Sequence, residues 1–333
     1  MRAAFFVLAF VLAIALFWRA EAARAQDFQL PIDCRVGEVC LVQNYADSNP
    51  ATGAAADPQC GPLAYDGHDG LDLRAPAALA RAGVNVLAPA AGIVLSVRDG
   101  EADGAYLREG STALNGRDCG NGVRIDHGGG WQSQLCHMRA GSMRVRQGER
   151  VSAGQALGLV GLSGFTQFPH VHLRLERNGA LVDPLTGSPM ANLRCSAQGA
   201  APGAHWSPAA RAALAYRGTR LLSAGFTGAA PNSDASVEDL PANAARTAQA
   251  LVFWTLASGP RNRDLIRVRL YGPDGALLVE NTRTQPRDQA QASLFAGRRT
   301  PDGGWPAGSY RGVAEVLREG RVLATRTQTL QLR

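Results

Sequence analysis

The sequence predicts a mainly β, antiparallel protein in two units, on three observations. Strand signals dominate the first two thirds and no long amphipathic helix is evident there. After Cys195 the composition breaks into small, flexible residues. Beyond the break, short alternating segments are separated by turn signals. At 333 residues, 46% hydrophobic and 19% charged, the chain is ordinary globular material with length for two cores.

Residues 1–25 read as a secretory signal peptide: Arg2, an apolar run from Ala3 to Trp18, then Ala23-Arg24-Ala25 before Gln26. Cleavage is expected after Ala25, with Ala20-Glu21-Ala22 as an alternative site three residues earlier. An uncleaved anchor is the competing reading, although sixteen residues fall short of the roughly 20 needed to span a bilayer. No cysteine follows the site, which argues against a lipid anchor. A periplasmic or secreted location follows, the periplasm being preferred, with membrane contact only if the signal is retained.

The six cysteines, at 34, 40, 60, 119, 136 and 195, lie in the first two thirds. Export makes disulfides the default, and the absence of any Cys-x-x-Cys pair argues against a cysteine zinc site. The favoured pairing is 34 with 40, 60 with 119 and 136 with 195, a set that ties an N-terminal arm (26–60), the long loop and the strand carrying His137 to one core.

The chemistry is concentrated in Phe168-Pro169-His170-Val171-His172-Leu173 and a distant His68-Asp69-Gly70-Leu71-Asp72. On a strand, residues an even number apart share a face, so His170 and His172 reach one pocket, and the four-residue step from His68 to Asp72 has the same effect. Two imidazoles and a carboxylate then meet at one ion. Three protein ligands leave a fourth tetrahedral position open, the mark of a catalytic rather than a structural zinc. No His-Glu-x-x-His helix supplies a glutamate base. Imidazoles left unliganded, with an ordinary pKa of about 6.5, suit the proton transfer.

From about Gly61 to Pro184 these residues come in an order that resembles the lysostaphin/LytM-type zinc metallopeptidases, metallopeptidase family twenty-three, which cut peptide bonds in bacterial peptidoglycan. The His-x-x-x-Asp segment is followed by Val86-Leu87-Ala88-Pro89-Ala90-Ala91-Gly92-Ile93-Val94, then Cys119-Gly120-Asn121-Gly122-Val123-Arg124-Ile125-Asp126-His127-Gly128, then Cys136-His137-Met138. Gly154-Gln155-Ala156-Leu157-Gly158-Leu159-Val160-Gly161 leads into His170-Val171-His172 and the match closes at Asp183-Pro184. The resemblance implies an antiparallel β-rich LytM-like domain (duplicated hybrid motif type) over 61–200 with its site in an open groove. It implies one Zn2+ per chain held by His68, Asp72 and His172, with His137 and His170 serving the chemistry. Which of those two is the base is left open. His127 and His205 read as structural, and glycines 154, 158, 161 and 164 as turn and close-packing positions without a phosphate role.

Three departures bear on the cleft: an alanine-rich insertion from Arg74 to Gly83 with the makings of a helical turn, a long polar loop from Glu101 to Asp118, and Phe168 where a small residue often precedes the proline.

Residues 201–222 are read as a linker and 223–333 as a small β-sandwich of immunoglobulin or fibronectin type. Ile266, Val268 and Leu270 face one way and Arg267 and Arg269 the other. Gly272-Pro273-Asp274-Gly275 is a turn, and Arg318-Glu319-Gly320 joins a hairpin. This domain contains neither histidine nor cysteine and is expected to present the enzyme to the wall or to dock a cell-envelope protein.

Every basic residue is arginine, and removing residues 1–25 (Arg2, Arg19, Arg24, Glu21) lowers the net charge from +6 to +4. That excess suits an anionic envelope surface or plain solvation, and no basic cluster with interleaved aromatics points to nucleic acid. The sequence therefore predicts a secreted zinc endopeptidase acting on peptidoglycan stem or cross-bridge peptides. The alternatives are a catalytically silent relative that activates another wall hydrolase, or an endopeptidase of secreted proteins.

Overall fold

The computed structural model describes residues 26–229 and 244–333; the signal segment 1–25 lies outside the described residues. The first unit carries strands β1 (Leu41–Asn44), β2 (Leu71–Arg74), β3 (Asn85–Leu87), β4 (Gly92–Arg98), β5 (Asn121–Gly128), β6 (Trp131–Met138), β7 (Arg150–Val151), β8 (Ala156–Leu159), β9 (His170–Arg177) and β10 (Ala180–Val182). Its main sheet runs β1-β2-β9-β6-β5-β4-β7, with β10 paired to β9, while β3 and β8 form a separate pair. All these ladders are antiparallel.

Alternation divides β2 and β9 between two environments. Leu71 and Leu73 of β2 and Val171, Leu173 and Leu175 of β9 enter the hydrophobic core. The intervening Asp72 and Arg74 lie opposite His172 and His170 in the ladder, so polar groups collect on the other face. Both faces are buried, and the polar one is buried by its own network.

Strand β6 departs from this rule near its end. Asn121 faces Met138 and Val123 faces Leu135, so β6 holds one more residue than β5 in that interval, a β-bulge containing Cys136 and His137. His137 has φ of 61°, left-handed for a non-glycine residue, at a cost of about 1–3 kcal/mol. The bulge takes His137 off the core side occupied by Leu135 and aims it across the sheet at His170, with ring centroids 4.5 Å apart.

The arm 26–60 is integrated into this unit. Phe28, Ile32, Val36 and Tyr45 are core residues, and β1 is the sheet's edge strand. The stretch 201–222, expected to be a linker, carries a short helix, and Trp206, Ala210 and Leu214 pack in the same core. The alanine-rich insertion forms helix α1 (Ala77–Ala82), and the long loop holds α2 (Ala105–Glu109) and a 3-10 turn (Ser111–Leu114). Helix α3 (Pro208–Ala213) is capped by Ser207, whose hydroxyl accepts from Ala210 N.

Three disulfides join Cys34 to Cys40, Cys60 to Cys195 and Cys119 to Cys136. The first matches the expected pairing; the other two correct it. Cys136 lies in β6 and Cys119 just ahead of β5, where His137 N donates to Cys119 O at 2.9 Å; the two cysteines therefore meet, and Cys60 pairs with Cys195.

The second unit has β11 (Arg220–Thr227), β12 (Ala250–Ser258), β13 (Leu265–Tyr271), β14 (Leu277–Thr284), β15 (Gln291–Arg299), β16 (Gly308–Arg318) and β17 (Arg321–Leu332). A three-stranded sheet, β11-β12-β15, faces a four-stranded one, β14-β13-β16-β17. Ile266, Val268 and Leu270 point into the shared core with Phe253, Leu251 and Tyr310, while Arg267 and Arg269 both reach Glu315 on the outer face. The fourth strand pairs with the third, where a constant-type immunoglobulin domain would set it beside the fifth.

The two units touch along β1. Leu41 packs on Leu222, Trp254 and Leu256, the Arg220 guanidinium donates to the Val42 carbonyl, and Arg261 donates to Gln59 O at 3.3 Å. Asp57, fully buried, accepts from the backbone of Gln59, Gly61 and Leu63 and from the Tyr216 hydroxyl.

Candidate metal centre

Five polar side chains meet on the site face: His68, Asp72 and His172, with His137 and His170 beside them. Asp72 comes from β2 and His170 and His172 from β9, as strand periodicity predicts. His68 does not obey that periodicity. It precedes β2, in the turn that starts at Tyr65, and reaches the centre because its backbone N–H closes that turn on Tyr65 O at 3.0 Å.

Each imidazole gives one ring N–H to a fixed acceptor and points its other nitrogen inward. His68 Nδ1 donates to Tyr45 O at 2.6 Å, His137 Nδ1 to Ser163 O at 2.8 Å and His170 Nδ1 to Phe168 O at 2.9 Å. A carbonyl can only accept, which fixes the tautomers. His172 is held the other way round, Nε2 lying 3.3 Å from Asp69 Oδ1 and Nδ1 facing the centre. Asp72 Oδ2 accepts from Asn44 Nδ2 at 2.9 Å, which turns Oδ1 inward.

His68 Nε2 lies 3.2 Å from Asp72 Oδ1 and 3.2 Å from His172 Nδ1, and the last two atoms are 2.9 Å apart. Tetrahedral zinc with bonds of about 2.0–2.1 Å holds its ligand atoms about 3.3 Å from one another. The donor set therefore fits a divalent zinc: two imidazole nitrogens, one carboxylate oxygen, and a hydrogen-bonded outer partner for each. His170 Nε2, 3.4 Å from the same Oδ1, stands next to that set, and the His137 ring centroid is 6.0 Å from that of His172.

The electrostatics follow from this packing. Burial alone would raise Asp72, but the surrounding histidines, His68 first, hold its carboxyl well below the usual range. Burial alone would lower His172, yet its hydrogen bonds to Asp69 and Asp72 outweigh that and bring it to about 9. Burial pushes His137 well below the ordinary histidine value, and the neighbouring His170 and His172 push it further, so at neutral pH it is an unprotonated base.

Several residues that sequence reasoning missed complete the centre. Asp69 was visible inside the His-Asp-Gly-Leu-Asp run but not singled out; Asn44 carries no local signal, since it meets Asp72 only through the β1–β2 register. Tyr65 lies over the His68 ring at 4.4 Å. Gly70 is required by space, since a Cβ there would sit 2.4 Å from His172 Cε1. His127 and His205 are elsewhere. The first bonds Ala91 O and Ser133 Oγ, the second bonds Pro184 O and stacks on Trp131.

A family model, Peptidase family M23, matches residues 66–184, the span that holds all five central residues. Among solved structures, the chain is similar to a putative peptidase M23 from Pseudomonas aeruginosa (26% identity, 52% of this chain and 58% of that one, TM-score 0.28). It is also similar to a mutant catalytic domain of the prophage-encoded M23 protein EnpA from Enterococcus faecalis (26% identity, 42% and 94%, TM-score 0.29). A third is a zinc-containing peptidase from Vibrio cholerae (20% identity, 43% and 39%, TM-score 0.28). The chain thus spans a little over half the length of the Pseudomonas protein.

Proposed function

We propose that residues 66–184, which match the model of peptidase family M23, are a peptidase domain of the LytM/lysostaphin type, and that the chain is a zinc-dependent endopeptidase that hydrolyses peptide bonds in peptidoglycan stem or cross-bridge peptides. The observation that carries this reading is the convergence of His68 Nε2, Asp72 Oδ1 and His172 Nδ1 with two further histidines alongside.

His68, Asp72 and His172 would hold one zinc ion, which when bound supplies Lewis acidity that polarises a carbonyl and acidifies water. The remaining work belongs to the chain's own side chains. His137, kept neutral by burial and anchored through Nδ1 to Ser163 O, has Nε2 available to take a proton and later pass it to the leaving amine. His170, anchored to Phe168 O and next to Asp72, is assigned the side on which the carbonyl oxygen gains charge. Tyr65, whose ring lies 4.4 Å from that of His68, lines the approach to the centre.

Export to an oxidising compartment, the periplasm by preference, is part of the proposal; the charged, apolar and small-residue order of residues 1–25 and the three disulfides support it. The test is digestion of purified sacculi by the zinc-supplemented protein, with fragments identified by mass spectrometry beside His172→Ala. New peptide ends that require the intact centre are expected. A folded, zinc-loaded protein that releases none would overturn the assignment.

A further inference from the structure

The cleft at the centre has two arms, and the second unit enters one of them. One arm is a cavity of about 220 Å3 extending from Asp72 and His170 past Phe168 to Ala290 and Gln291. The other, about 300 Å3, extends from His137 and His172 to Asp69, Asp118 and Arg174. Tyr65 and Phe165 line both, so the arms meet between those rings. Their chemistry differs. The second arm ends among charged groups, whereas the first is lined by aromatics and amides, with Asp72 and His170 of the centre its sole ionisable groups apart from tyrosine hydroxyls.

The corner that closes the first arm is firmly held. Gln291 opens β15 and pairs with Ser258, Ala290 O accepts from Gly259 N at 2.9 Å, and Gln289 N donates to Pro260 O at 3.0 Å. On the facing side, Arg74 donates through one nitrogen to Gln43 Oε1 at 3.1 Å and Gln291 Oε1 at 3.3 Å, and its guanidinium lies 4.5 Å over the Phe168 ring. Arg74 is also the register partner of His170. With its oxygen engaged by Arg74, Gln291 offers its NH2 group as a donor.

We infer that the β-sandwich is a wall of the peptide-binding groove, and that Gln291 is a specificity-determining residue that reads an uncharged, small-side-chain stretch of the substrate by donating to a peptide carbonyl. The inference rests on the peptidase reading above. It gives the second unit a place in substrate selection, alongside the presentation or docking role that its sequence suggests. A charged side chain entering this arm would lose hydration, and the neighbouring cation, Arg74, is already engaged by Gln43, Gln291 and the Phe168 ring.

The probe is a fluorescein-labelled oligo-alanine peptide and its counterpart with glutamate at alternate positions, titrated by anisotropy into the full-length, zinc-supplemented protein. The alanine peptide is expected to bind at least about tenfold more tightly than the glutamate one, a difference of about 1.4 kcal/mol. Ala290→Trp and Gln291→Trp, which fill the arm, should each weaken the alanine peptide about tenfold; Gln291→Ala, which removes only the amide, should weaken it about threefold to tenfold. Unchanged zinc content and melting temperature in all three variants tie the loss to the groove. Binding within twofold of the parent in both tryptophan variants, or equal affinity for the two peptides, would overturn the inference. Sacculus digestion run in parallel separates the two readings. Selective binding without cleavage sinks the peptidase assignment and leaves the groove standing, and cleavage with no selectivity does the reverse.

Discussion

Asp72 and His172 face each other across the β2–β9 ladder, and the carboxylate Oδ1 of one lies 2.9 Å from Nδ1 of the other. A single register thus sets two of the three candidate metal donors, and a one-residue slip of either strand would turn its donor into the core.

The outer partners of the donors should matter nearly as much as the donors. Asn44→Ala removes the bond that orients Asp72, and Asp69→Ala removes the one that orients His172. Each should reduce zinc affinity about 10–100-fold. Competition against a chromophoric chelator reads this directly, and affinities within threefold of the parent would refute it.

Gly70→Ala is a steric test of the same centre. The new methyl would occupy the space of the His172 ring, 2.4 Å from Cε1. Zinc content at equal added metal should drop by half or more while the chain stays folded by circular dichroism. Full occupancy would mean that the ring has another position available.

His137→Ala and His170→Ala should separate chemistry from metal binding. Both are expected to keep one zinc per chain and to lose about 100–10,000-fold in kcat, the range for a positioned acid or base. A variant that loses its zinc instead would move that histidine into the ligand set.

The three disulfides should divide stability from activity. By loop length, Cys60–Cys195, spanning 135 residues, contributes about 5 kcal/mol and Cys119–Cys136, spanning 17, about 3 kcal/mol. Yet His137 N donates to Cys119 O at 2.9 Å, so it is the shorter bridge that borders the bulge carrying His137. Cys119→Ser with Cys136→Ser should lower kcat more than Cys60→Ser with Cys195→Ser, and lower the melting temperature less. The opposite order in kcat would sever the bridge from the chemistry.

Stability should fall in mild acid partly through His127. Burial depresses its pKa in the fold, against the opposing pull of Ala91 O. Near pH 6.5 the unfolded chain therefore binds more protons than the folded one. This contribution is complete above an unfolded pKa of about 6.5 and is lost as pH drops below it. The melting temperature of His127→Gln should accordingly decline less than that of the parent between pH 6.5 and pH 5; parallel slopes would exclude His127 as a source.

Asp72, His170 and His172 were legible because their spacing is a property of strands and they lie where alternation puts them, whereas His68 reaches the centre from the turn that starts at Tyr65. The sandwich was legible for the same reason in Ile266, Val268 and Leu270. What escaped depends on which strands become neighbours. Asn44 belongs to an arm with no motif of its own, and the Cys119–Cys136 bridge required the hairpin register, for which Gly128-Gly129-Gly130 was the available signal. The stretch 201–222 reads as a linker because it lies between small-residue runs at 196–204 and 222–249, yet Trp206 and Leu214 carry enough apolar surface to seat it in the core.

Strand β1 ends the main sheet, and a terminal strand ordinarily leaves a row of backbone groups available to any passing chain. Here Arg220 takes the Val42 carbonyl and the side chains around Leu41 are sheathed by the sandwich. A first unit cut free near residue 218 would therefore carry an open, adhesive border at the strand that ends in Asn44, and would be expected to associate with itself through the strand that orients Asp72.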